Sequence, residues 1–199
     1  MLKKDELKVL TLLFEDLTID LTIMDIANRL KQKYVQTHRT IYSLVRSHNV
    51  LLKNIGKSKI VKLNLTRNNS SYILAEMERA QYICKKNTAV AVVRKNIQTI
   101  GKNLICILFG SQTSKPNPHS DIDLLFIIPK EYDYGEFERT IRHTLIATNS
   151  DITIVPESSL HEMWSNPQKL NIGNEILKKH IILYGAEHFL NLLRIHYVG

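Results

Sequence analysis

LICILFGSQTSKPNPHSDIDLLFII, residues 104–128, decides how this chain is read. Leu104 to Phe109 is an unbroken apolar run of strand length, stopped at once by Gly110-Ser111. Beyond a polar, proline-bearing loop, Asp121-Ile-Asp123 opens a second apolar run that ends at Ile128. Residues 121 and 123 are two apart, so as strand residues they project from one face of the pleat. Two carboxylates on one face with apolar residues beyond them repel each other and are costly unless a cation compensates. Downstream, the spacing of Phe137, Ile141 and Leu145 predicts a helix over 134–147, and Asp151-Ile-Thr-Ile-Val155 predicts a third strand. Asp151 then adds a third carboxylate to an oxygen cage of the hard kind that Mg²⁺ favours. Gly110 lets backbone approach a phosphate closely, and Ser111 can present its hydroxyl and N–H groups to an anion. A phosphate cradle beside three carboxylates in one α/β domain is suited to metal-assisted phosphoryl chemistry.

Residues 109–127, FGSQTSKPNPHSDIDLLFI, resemble the nucleotidyltransferase signature of the DNA polymerase β superfamily, small prokaryotic type: a hydrophobic strand, Gly-Ser, a loop, then Asp-x-Asp in a strand. Nine residues (112–120) separate Ser111 from Asp121. The resemblance covers roughly residues 87–199, and residues 171–189, NIGNEILKKHIILYGAEHF, look like the helical tail of small members. It implies an α/β (α+β) domain with a small mixed sheet flanked by helices. It also implies transfer of a nucleoside monophosphate from an NTP to an acceptor hydroxyl, with release of pyrophosphate. Asp121, Asp123 and Asp151 would be catalytic and hold Mg²⁺ or Mn²⁺, and Gly110 and Ser111 would hold the nucleotide phosphates. Where many members carry a basic residue and a second glycine, this chain reads Gln112-Thr113-Ser114-Lys115, so Lys115 is the expected source of positive charge.

Upstream the chain changes character. Residues 1–68 hold 13 Lys and Arg against 6 Asp and Glu, whereas residues 69–199 hold 14 against 13. No acid occurs between Asp25 and Glu76, a window with ten basic residues. Such asymmetry points to a polyanion-binding module joined to a near-neutral one. Leu7, Leu10, Leu13 and Phe14 predict a helix over 3–16. Thr22 with Asp25 three residues on predicts a capped second helix, and Thr37 is read as the cap of a third that runs through His48. The third helix offers His38, Arg39, Tyr42, Ser43 and Arg46 on its outer face. Val50–Leu52 and Lys59–Leu65 predict a hairpin with Lys57 and Lys59 at its tip. Gly56-Lys57-Ser58 is not a phosphate-binding loop, because the first glycine of that motif falls on Leu51. This stretch resembles the winged helix-turn-helix domains of prokaryotic regulators, which implies DNA or RNA binding through those seven residues.

The expected organisation is therefore a winged helix-turn-helix over 1–68, a connecting helix over 69–86 with Leu74, Met77, Gln81 and Cys84 on its buried seam, and a nucleotidyltransferase domain over 87–199. Partners are an NTP, a nucleic acid and an acceptor, with room for a homo-oligomer. A competing expectation is a nucleic-acid-binding regulator, or an antitoxin-like protein, whose transferase-like domain does no chemistry. Apolar residues are 44% and charged residues 23% of the chain, as in globular proteins. The longest apolar runs fall far short of a bilayer span. Two cysteines without a CxxC pair, and an N-terminus without a secretory leader, make a cytoplasmic setting the expectation. The eight histidines form no metal-ligating spacing.

Overall fold

A computed structural model describes residues 2–56, 58–67, 69–100, 103–113 and 120–198. Among the described residues the chain is a mixed α/β protein with two small sheets, one in each of two cores. In the first, helices α1 (Lys4–Glu15), α2 (Ile23–Arg29) and α3 (Tyr34–Arg46) pack on a three-stranded antiparallel sheet. Its strands are β1 (Leu21–Thr22), β2 (Val50–Ile55) and β3 (Ser58–Leu63), in the order β1-β3-β2. The expected cap opens α2: Thr22 Oγ1 accepts from Asp25 N at 3.2 Å while Asp25 Oδ2 accepts from Thr22 N at 2.8 Å. Phe14, Ile26, Ile41, Leu44 and Val50 fill the centre.

Helix α3 starts a turn earlier than Thr37 predicts. Its N-cap is Lys33, and Thr37 is fully buried within the helix, donating from Oγ1 to the Lys33 carbonyl at 3.3 Å. A threonine hydroxyl satisfied by the preceding turn fits a helix interior as well as a cap.

The second sheet has the order β6-β5-β4-β7, from β4 (Ile105–Leu108), β5 (Ile122–Ile128), β6 (Ser150–Pro156) and β7 (Ile181–Tyr184). Strands β4 and β5 are antiparallel, as are β4 and β7, while β5 and β6 run parallel across α6 (Tyr134–Thr144). Alternate residues feed two apolar layers. Cys106, Leu108, Leu124 and Phe126 face α5 (Thr88–Gln98) and α6, through Val90, Val93, Ile97, Phe137 and Ile141. Ile105, Ile107, Leu125 and Ile127 face α7 (Glu157–Trp164), α8 (Ile172–Lys178) and α9 (Ala186–Val198), through Leu160, Trp164, Ile176, Phe189 and Leu193. The tail expected to be helical is thus interrupted: Ile181–Tyr184 becomes the edge strand β7.

Helix α4 (Ser70–Lys86) serves both cores, with Tyr72 and Ala75 in the first and Ala80 and Ile83 in the second. The predicted seam is corrected here: Leu74 and Met77 are each half exposed, and the buried face runs through Glu76 and Arg79. Those charges serve the sheet edge. Arg79 Nη1 donates to Glu76 Oε1 at 2.5 Å, Arg79 Nη2 donates to the His180 carbonyl, and Arg94 Nε donates to the Leu183 carbonyl at 3.2 Å. Side chains thereby occupy carbonyls flanking and within β7 that no further strand among the described residues reaches. A backbone bond from Leu17 N to the Leu177 carbonyl, 2.8 Å, ties the end of α1 to α8. Among the described residues no helix is long and apolar enough to cross a membrane.

Candidate functional site

The Gly-Ser turn stands where β4 ends. Phe109 N donates to the Asp123 carbonyl at 3.1 Å, extending the β4–β5 ladder by one residue. Gly110 then turns left-handed, φ +69°, and Ser111–Thr113 form a single 3-10 turn closed by Thr113 Oγ1 donating to the Gly110 carbonyl at 2.7 Å. The glycine is required twice over. A side chain rarely adopts that φ, and a Cβ placed there would lie 3.0 Å from Asp123 Cγ and closer still to Oδ2. The Asp123 carboxyl therefore lies directly across the turn that carries Ser111.

Register brings the third acid in. Asp123 pairs with Asp151 across the parallel β5–β6 ladder, and residues 121, 123 and 151 share the sheet face that carries Leu125, Ile127 and Val155 further along. Asp123 is half-buried, whereas Asp121 and Asp151 are exposed. Burial pushes the Asp123 carboxyl above its usual range, and the neighbouring Asp151 and Asp121 charges push it further. Among the described residues none of the three forms an ion pair. Nor do three or more His, Cys, Asp or Glu side chains converge, as they lie, on a point where a metal would sit. Asp121 Oδ1 instead accepts from Asn149 Nδ2. The donor set nonetheless fits a hard divalent ion: all oxygens, mutually repelling, with Asp121 and Asp151 exposed.

Two positioning residues escape the sequence motif. Gln112 is fully buried, donating from Nε2 to Ser120 Oγ at 2.6 Å and to the Ser120 carbonyl at 3.0 Å. Its Oε1 accepts from Asn87 Nδ2 at 3.1 Å, while Asn87 Oδ1 caps α5 through Ala89 N and Val90 N. One amide thus fastens the Gly-Ser turn to the residue preceding Asp121 and to a helix start. The second is Asn149, whose carbonyl also accepts from Ile122 N at 3.0 Å. Lys115, expected near the phosphates, lies outside the described residues.

On the first core, Arg39, Arg46 and Lys59 are exposed, and His38 and Tyr42 are half-exposed. Lys59 Nζ donates to the Tyr42 hydroxyl at 3.0 Å, joining hairpin to helix. Ser43 does not belong with them: its Oγ donates inward to Glu6 Oε1 at 2.7 Å. Lys57 lies outside the described residues. No family model matches this chain, and neither does any curated protein or solved structure.

Proposed function

We propose that the chain is a metal-dependent nucleotidyltransferase that moves a nucleoside monophosphate from an NTP to an acceptor hydroxyl, recruited by a winged nucleic-acid-binding module over residues 1–68. The observation that carries the reading is the seating of Asp123 across Gly110, register-paired with Asp151 and made harder to ionise by burial and then by both neighbouring acids. A fold that needed these positions only for packing gains nothing from three repelling carboxylates on one sheet face.

Asp121, Asp123 and Asp151 would hold Mg²⁺ or Mn²⁺. Such ions neutralise triphosphate charge and lower the pKa of an attacking hydroxyl. The turn at Gly110 and Ser111 would take phosphate oxygens on its N–H groups and the Ser111 hydroxyl. Gln112, clamped between Asn87 and Ser120, holds that turn at a fixed distance from the carboxylates. Asp151, near the start of β6, would accept the acceptor proton. Orientation and fixed charge would supply most of the rate.

The test is incubation with labelled NTPs, Mg²⁺ and pools of RNA, protein and small-molecule acceptors. Label transfer is expected, and Asp123→Asn should reduce it by at least about a hundredfold while the protein keeps its fold, a loss of the size seen when one preorganised transition-state contact is removed. Undiminished transfer in Asp123→Asn would overturn the assignment. The competing reading, a nucleic-acid-binding regulator with a non-catalytic transferase-like domain, draws on one observation, that the three carboxylates do not converge as they lie. Salt-dependent nucleic-acid binding without transfer to any acceptor would favour it.

A further inference from the structure

Residues 34, 38 and 42 fall four apart on α3, so their rings line one flank of the helix. His38 stacks on Tyr42, centroids 4.4 Å apart and planes within 25°. Tyr34 stands 5.9 Å from His38, tilted by 45°, and is 44% exposed. Lys59 holds the far end, bonded to the Tyr42 hydroxyl with its Nζ 5.7 Å from that ring's centroid. The ladder is thus fixed at the hairpin and open at Tyr34.

The same helix commits two hydrogen-bonding side chains to α1, Ser43 half-buried and Gln36 on the surface. Ser43 is bonded to Glu6, and Gln36 Nε2 donates to Asp5 Oδ2 at 2.8 Å, both acids belonging to the start of α1. The flank of α3 that carries the ladder presents ring surface, with Arg39 and Arg46 exposed on the adjoining face. Aromatic faces beside cations suit unpaired bases, because every base has a face to stack and every nucleotide a phosphate to neutralise.

We propose that the Tyr34–His38–Tyr42 ladder is a stacking platform for unpaired bases, so that the module selects single-stranded nucleic acid, with Arg39, Arg46 and Lys59 meeting the phosphates. This rests on the reading of residues 1–68 as a nucleic-acid module and narrows its ligand.

The experiment measures fluorescence anisotropy of the full-length protein against a labelled mixed-sequence strand of about twelve nucleotides, within the site size of such platforms, and against the same sequence as a duplex. DNA and RNA are run in parallel across a salt series. The single strand is expected to bind at least about tenfold more tightly than the duplex. Tyr34→Ala should weaken single-strand binding by about tenfold without changing the salt slope, and Tyr34→Phe should bind like the parent, since the ring face and not the hydroxyl is used. Arg39→Ala should lower the slope by about one. Because Tyr34 is exposed, a thermal melt serves to show that these variants stay folded. Duplex binding as tight as or tighter than the single strand, with an Arg39→Ala effect, would leave the module reading standing and overturn the single-strand proposal. Full single-strand binding in Tyr34→Ala overturns it too, and no binding to either polymer sinks both.

Discussion

Glu76 and Asp123 are both withdrawn from water beside the same sheet, yet the fold treats their charges in opposite ways. Glu76 is fully buried and meets a guanidinium at 2.5 Å, and the same Arg79 also binds the His180 carbonyl. Asp123 is less buried, and the charges that act on it are two further carboxylates. At the sheet edge the chain supplies its own cation. At the Gly-Ser turn it assembles negative charge and supplies none from the described residues. A charge neutralised from within is part of the architecture; Asp123 has no such partner among the described residues, which is the ground for the proposed function.

The contrast can be broken most severely at Glu76. Replacing it with alanine strands Arg79 in the interior, so Glu76→Ala should cost about 3–5 kcal/mol of stability, read from urea unfolding, and pairing it with Arg79→Met should recover a large part. A loss below about 1 kcal/mol, the size of an exposed pair, would put Glu76 and Asp123 in the same class. Gly110→Ala comes next. Its left-handed backbone alone implies about 1–2 kcal/mol, and the clash with the Asp123 carboxyl adds to it. In an Asp123→Ala background the clash part should vanish while the strain part stays. The smallest effect has the opposite sign. Asp123→Asn removes repulsion and should stabilise the protein by about 0.5 kcal/mol, the scale of a solvent-screened pair. Its pH dependence follows from the raised carboxyl. The folded state holds that proton more tightly than the unfolded chain, so the penalty is absent below the ordinary value of 3.8, grows as pH rises through the folded value, and is complete above it. Melting curves of parent and Asp123→Asn should therefore coincide near pH 3 to 4, close to the unperturbed carboxyl value, and separate toward neutrality. A parent more stable than Asp123→Asn at neutral pH would instead show that the fold stabilises this carboxylate, and would overturn the contrast.

The same distinction explains what was legible in the sequence. The strands on either side of the Gly-Ser turn were readable, because apolar runs of that length bounded by Gly and by Asp have few other uses. Placing Asp121 and Asp123 on one face required only strand parity. The Thr22–Asp25 cap was equally plain, being local chemistry. The buried face of helix α4 is hard to read because it includes Glu76 and Arg79, which hydropathy places outside; Arg79 meets His180, 101 positions away and just before the edge strand. That strand, Ile181–Tyr184, was itself hidden inside an apparently helical stretch, since four apolar residues carry no period. Gln112 looked like a departure from a motif and is a fastening, visible only once Asn87 and Ser120 are brought to it. Ser43 was assigned outward by helical angle, and the turn toward Glu6 depends on how α1 lies against α3.

The capped carbonyls on β7 bear on how these molecules behave when crowded together. With Arg79 and Arg94 seated on that margin, a strand from a neighbouring copy finds acceptors there already taken. The opposite margin, β6, begins beside an aspartate and finishes at Pro156, which has no N–H to offer an incoming chain. Both rims of the sheet are thus poor templates for amyloid-like stacking, a protection achieved with four side chains and no extra strand.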